Sequence, residues 1–330
     1  MFYELLLGSR PFISCKGAKN VYISLMLINQ IMAMALMVLA GFFLAKKKLL
    51  TGEESRIITK ALFYVIIPCS LIDAFGTEFD TDKLEGMIVG FLMAALVFAI
   101  FLTGGWLMGK RGFTNGEVCS VIYSNSGNLI IPIVTGVLGT QYVIYTCAYM
   151  FIQNLLTWTH AQMKMGGESE LTVKKVLTHP NILAILGGLL LFLLRLRLPG
   201  PLGSAVGSLG ACIGPLFMMV TGILLAEADL KAAFSSRRTY YVVFIRLILY
   251  PALVLALVLT AGRLWNHPMK EGVLMVILLC SSGPPASTLA QLAQMYGSSE
   301  ARYISALTAL CTVLSAVTMP VMCILYQMMI

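Results

Sequence analysis

Two stretches combine hydrogen-bonding side chains with helix breakers inside otherwise apolar sequence: SNSGNLIIPI at residues 124–133 and CSSGPPASTLAQLAQ at 280–294. The first places Asn125, Ser126 and Asn128 ahead of Pro132, and the second places Ser281 and Ser282 ahead of Gly283, Pro284 and Pro285. Glycine and proline there must cost a helix some of its backbone hydrogen bonds. Such irregular backbone survives at membrane depth only when protein encloses it or a water-filled cavity solvates it. Two broken helices crossing near the midplane would satisfy that condition. The half-helix N-termini they create would offer free N–H groups and partial positive charge, which suits an anion. Pro284 and Pro285 are placed near the start of such a half-helix, where a missing N–H costs nothing. Gln153, Asn154 and Gln291 are candidates to support the same polar lining.

The elements that must position these groups are membrane helices. Of 330 residues, 58% are hydrophobic and 12% charged, and the mean hydropathy is +0.87, more apolar surface than one soluble core could bury. Apolar runs long enough to cross a bilayer recur along the chain. The expected fold is all-α and polytopic, with ten spans at about 23–45, 57–76, 84–108, 117–138, 142–163, 181–198, 205–226, 239–261, 272–295 and 301–328. Lys and Arg divide unevenly: fourteen flank the loops after the odd-numbered spans, and eight lie on the other side with the N-terminal tail. The first set is expected to be cytoplasmic, which places both termini outside the cell membrane.

The longest connection separates five spans from five, so the expected divisions are a tail at 1–22, a first five-helix repeat at 23–163, a cytoplasmic linker at 164–180 and a second repeat at 181–330. Five spans per half insert similar halves with opposite orientation, the inverted repeat of many secondary transporters. Gly41 and Gly188, like Pro68 and Pro215, differ by 147 positions, and Pro132 and Pro285 by 153. The two interrupted spans, the fourth and the ninth, occupy the same place in each half. The first twenty residues are not a signal peptide by pattern, because their basic residues follow the short apolar patch.

Four stretches resemble the auxin efflux carrier family: LAGFFLAKKKLLTGEE at 39–54, ALFYVIIPCSLIDAF at 61–75, NSGNLIIPI at 125–133, and PPASTLAQLAQMYG at 284–297 followed by ALTALCTVLSAVTMP at 306–320. The resemblance runs from about residue 26 over nearly the whole chain. It implies two inverted five-helix repeats, a scaffold containing helices 1, 2, 6 and 7, and a transport site where helices 4 and 9 cross. It also implies that an asparagine seven residues before the crossover proline, here Asn125, contacts the substrate carboxylate. No asparagine precedes the double proline of the second stretch, where Ser281, Ser282 and Gly283 stand instead. The family's long central cytoplasmic loop is absent, which favours the compact bacterial kind related to malate and malonate carriers. A homodimer also follows from the resemblance.

The expected function is alternating-access transport of a small organic anion, an auxin-like monocarboxylate or a malate-like dicarboxylate, by an elevator-like or rocking movement. A proton or sodium gradient could drive it. A sodium/proton antiporter would carry carboxylates at the breaks, and neither stretch has one. A sodium-coupled anion symporter of similar fold is the other alternative. No HExxH, GxSxG or mid-span aspartate pair marks an enzyme. The eight cysteines form no CxxC and no Cys/His cluster, so neither a metal nor another cofactor is expected. The basic residues sit in loops between apolar runs, not on a face that could hold nucleic acid. Asp73, Glu117, Glu227 and Asp229 fall near span ends and are expected to be solvated or interfacial. Arg246 lies within a span, where it could pair with an acidic group, attract an anionic substrate or, the favoured reading, snorkel; His160 is expected to be structural.

Overall fold

A computed structural model describes residues 32–76, 78–166, 178–227, 236–296 and 298–330. The expected tail, most of the expected linker and Asp229 lie outside these residues. Among the described residues the helices are, in chain order, α1 (Met32–Lys46), α2 (Gly52–Ala74), α3 (Thr81–Lys110), α4 (Asn115–Ile122), α5 (Ile131–Val137) and α6 (Val143–Leu156). The second half continues with α7 (Pro180–Leu193), α8 (Gly200–Glu227), α9 (Arg237–Leu264), α10 (Lys270–Ser282), α11 (Ser287–Met295) and α12 (Ala301–Met329).

Among the described residues five helices are long and apolar enough to cross a membrane: α2, α3, α8, α9 and α12. Two of them, α2 and α3, begin several residues earlier than their apolar runs, where polar caps start them. Thr51 caps α2 in a reciprocal box with Glu54, and the Asp80 side chain accepts from the Asp82 N–H at the start of α3, each satisfying amides that have no intrahelical partner.

Wide turns, one residue looser than an α-helical turn, interrupt several helices. Those at Leu62–Ile66, Ser126–Ile130 and Ile245–Leu249 each end two residues before a proline: Pro68, Pro132 and Pro251. Proline has no N–H and its ring collides with the carbonyl four residues back. Widening the preceding turn moves that carbonyl aside while the helix continues. A fourth wide turn, Thr157–Ala161, extends α6 toward Gln162–Lys164 and has no proline behind it.

Glycines bring α1 and α8 into backbone contact. A Cβ on Gly41 would overlap the Met219 carbonyl, and one on Gly222 would overlap the Val38 carbonyl. Small residues permit this approach between membrane helices, where van der Waals packing drives association. Gly222→Ala must therefore push the helices apart. We expect a loss on the order of 3 kcal/mol, the upper end of overpacking costs, read as a lower unfolding midpoint in detergent.

Leucines on α1, α7 and α8 are exposed, whereas α4 and α10 are enclosed. Residues 116–122 of α4 and 273–282 of α10 are all buried. Burial on every face, polar residues such as Glu117 and Ser120 included, means that protein surrounds these segments. The two segments leading into the breaks thus have the enclosure that irregular backbone requires.

Candidate functional site

Both breaks are present, and they meet. α4 ends at Ile122, and Tyr123 leaves in extended conformation (φ −97°, ψ 122°). α10 ends at Ser282, and Gly283 is likewise extended (φ −63°, ψ 160°). Ser124 and Pro285 form an isolated antiparallel bridge. The Asn125 N–H donates to the Pro284 carbonyl at 2.8 Å, and the Ala286 N–H to the Tyr123 carbonyl at 3.0 Å. Backbone groups freed by one break are therefore partly satisfied by the other. Pro284 and Pro285 sit in the extended segment, and Pro284, which has no N–H to lose, contributes its carbonyl.

Pro132 does something different from what its sequence position suggests. The chain opens at residues 123–125, well before it, and Pro132 lies in the first turn of α5 behind the wide turn Ser126–Ile130. It shapes the restart of the helix but does not break it.

Arg246 is the largest departure from expectation. Instead of snorkelling it is completely buried, on the wide turn of α9. Its Nε and Nη2 donate to the Gly283 carbonyl at 2.9 and 2.6 Å, and its Nη1 to the Val121 carbonyl at 2.9 Å. The guanidinium also lies over Phe101, 5.7 Å from the ring centroid, and Phe101 stacks on Tyr250 at 4.3 Å. One side chain from a third helix thus binds the carbonyl end of both α4 and α10. Each such end carries roughly half a negative charge, so one guanidinium roughly balances the two. No carboxylate pairs with it among the described residues.

The other polar groups divide into committed and free. Gln153 and Ser124 form a reciprocal pair: Ser124 Oγ donates to Gln153 Oε1 at 2.9 Å, and Gln153 Nε2 to the Ser124 carbonyl at 2.7 Å. Gln153 therefore supports the first break by satisfying its backbone. Ser281 and Ser282 are buried but donate back to the Leu278 carbonyl at 2.8 and 2.7 Å, so neither hydroxyl has a proton left for a ligand. By contrast, the Ser126 hydroxyl is fully buried with no partner among the described residues. The Asn125 side chain is 5% exposed, and among the described residues its carboxamide has no hydrogen-bond partner. Asn154 Nδ2 is also buried without a partner. The side chains of Asn128 and Gln291 lie outside the described part of the structure.

Glu117 is more enclosed than the sequence suggests, while His160 and Glu227 make hydrogen bonds between elements. Glu117 is not solvated: it is 2% exposed, accepting from the Thr114 N–H at 2.8 Å and from the Tyr303 hydroxyl at 3.3 Å. It holds the start of α4 to α12. His160, on the proline-free wide turn, has Nδ1 2.8 Å from the Tyr123 hydroxyl and so touches a residue of the first break. Glu227 accepts from the Gly52 N–H at 2.6 Å and ties α8 to the start of α2.

A cavity of about 260 Å³ lies between α1, α2, α5 and α8. Ile131, Pro132 and Thr135 line it from the α5 side, Ser70 and Asp73 from α2, and Gly207 from α8. Of the site residues named from the sequence, Pro132 alone lines it.

The family model described as membrane transport protein matches residues 26–323. A search of curated proteins found no match.

Proposed function

Because the chain belongs to the membrane transport protein family, of the auxin-efflux-carrier type, we propose that it is a secondary active carrier of a small organic anion, with its site where the two breaks meet. The observation that carries this reading is the pairing of free donors with a buried positive charge. Asn125 and Ser126 hold polar groups at the first break that have no partner among the described residues, and Arg246 offsets the negative ends of α4 and α10. The helix starts that follow, at residues 126–137 and at α11, are left as positive poles. An anionic carboxylate complements that balance. A sodium ion does not, since it would seek carboxylate or carbonyl oxygens and Arg246 already occupies the carbonyls of Gly283 and Val121.

The mechanism we infer is alternating access of elevator type between two inverted five-helix halves. The fused breaks, pinned by Arg246, would move as one body against α1, α2, α7 and α8. The tight glycine contact of α1 with α8 suits a scaffold that does not move. The cavity beside α5, lined by Pro132 and Gly214, would be the approach from one face. In this reading the protein is a compact plasma-membrane carrier resembling bacterial malate and malonate carriers, with both termini outside.

Thermal unfolding of the purified protein with malonate, malate, indole acetate, sodium chloride or choline chloride tests the substrate class. A cognate anion at a hundred times its Kd should stabilise by about 2.7 kcal/mol, raising the unfolding midpoint. A shift with sodium alone would replace the anion reading with that of an antiporter.

A further inference from the structure

The cavity beside α5 carries a charge that an anion would avoid. Asp73, in the last turn of α2, is the one ionisable side chain in its lining among the described residues. The rest of the lining is serine, threonine, glycine, alanine, proline, methionine, isoleucine and valine. α1 contributes Met34 and Met37 and α5 contributes Thr135; Thr140 lies just before α6, and glycines come from α8. Cys69, one turn earlier on α2, feels the Asp73 charge. No ion pair or hydrogen bond engages the Asp73 carboxylate among the described residues.

The packing explains why it has no partner. α8 passes α2 with glycines facing it: a Cβ on Gly207 would stand 3.2 Å from Asp73 Oδ1, and one on Gly210 would stand 2.9 Å from the Ser70 Cα. α8 has no side chain there to neutralise it. The carboxylate is therefore left facing the cavity and the solvent that reaches it.

We propose that Asp73 is a proton-binding site that sets which cargo the cavity admits. Protonated from solvent, it is neutral and its O–H donates a hydrogen bond to a cargo carboxylate. Ionised, it is acceptor-only and repels the same group. Two negative charges about 4 Å apart in that space cost about fivefold in affinity with solvent-like screening, and more than tenfold where the protein walls weaken the screening. Anion admission therefore rises as the pH falls through the Asp73 titration, and it falls as Asp73 ionises. This inference rests on the anion-carrier reading above and deepens it.

The test compares the ligand-induced rise in unfolding midpoint for wild type, Asp73→Asn and Asp73→Glu, with malonate, indole acetate or choline, at pH 5.5 and 7.5. Asparagine has nearly the same shape and keeps a donor, so the variant should fold. Wild type should bind the better anion severalfold more tightly at pH 5.5 than at pH 7.5. Asp73→Asn should bind it equally at both, near the pH 5.5 value, and Asp73→Glu should restore the dependence. If Asp73→Asn keeps the wild-type pH profile, Asp73 is not the proton site and the anion reading stands without it. If choline stabilises wild type but not Asp73→Asn, the cavity is built for a cation and the proposal is overturned. If no anion shifts any of the three proteins at either pH, the carrier reading fails and Asp73's role goes with it.

Discussion

Arg246→Met will lower the unfolding midpoint more than any other single change at the breaks, and it will abolish uptake. Methionine fills most of the volume, but it leaves the Gly283 and Val121 carbonyls buried and without their donors. Each unsatisfied group costs roughly 1–3 kcal/mol, and loss of the guanidinium also leaves the ends of α4 and α10 uncompensated. Removing a buried charge returns part of that cost by ending its own desolvation, so the expected net loss is on the order of 2–4 kcal/mol. Arg246→Lys separates charge from geometry. Lysine keeps the positive charge but lacks the planar fork that reaches both carbonyls at once. It should fold more stably than the methionine variant while uptake in proteoliposomes stays well below wild type. Were Arg246→Met to transport normally, the breaks would not need pinning and the moving-body reading would have to be given up.

The contrast between Arg246 and the prolines shows what a sequence of this kind reveals. Glycine and proline act locally, so residues 283–285 marked the second break at its true position. Pro132 misled because a proline can be absorbed by widening the turn before it, as Pro68 and Pro251 also are. The opening of span 4 is stabilised from outside, by Ala286, Pro284 and Gln153, and those partners are remote in the chain. Arg246 carried a signal that a start at residue 239 understated. The helix begins at Arg237, so at 1.5 Å per residue Arg246 lies roughly 14 Å from its start, more than two turns inside the helix. A charge at that depth is functional by default. Its partners could not be read, because Val121 and Gly283 contribute carbonyls, which every residue has. Ser281 and Ser282 looked like ligand groups for the converse reason: a hydroxyl in a helix has the option of bonding back to its own backbone, and both take it. The family resemblance, by contrast, was legible because it depends on the order of several stretches over the whole chain, and the match over residues 26–323 agrees with it.

Asn125→Ala should abolish anion binding and uptake while leaving the unfolding midpoint of the ligand-free protein nearly unchanged. The structural work of residue 125 is done by its backbone, whose N–H donates to Pro284 and whose carbonyl accepts from the Leu129 N–H at 3.2 Å. Alanine preserves both. The carboxamide has no partner among the described residues, so its removal leaves nothing unpaired behind it. If that amide donates to a cargo carboxylate, the lost charge-assisted hydrogen bond is worth roughly 1.5–3 kcal/mol, or about tenfold to a hundredfold in affinity. Ser126→Ala supplies the internal comparison. Its hydroxyl is buried without a partner, so alanine there should be neutral or slightly stabilising to the empty protein, and any loss of binding would assign the hydroxyl to the ligand. Isothermal titration with the anion identified by thermal shift, run on both variants, distinguishes the cases. Wild-type affinity and uptake in Asn125→Ala would remove the asparagine from the site and leave the meeting of the two breaks a purely structural joint.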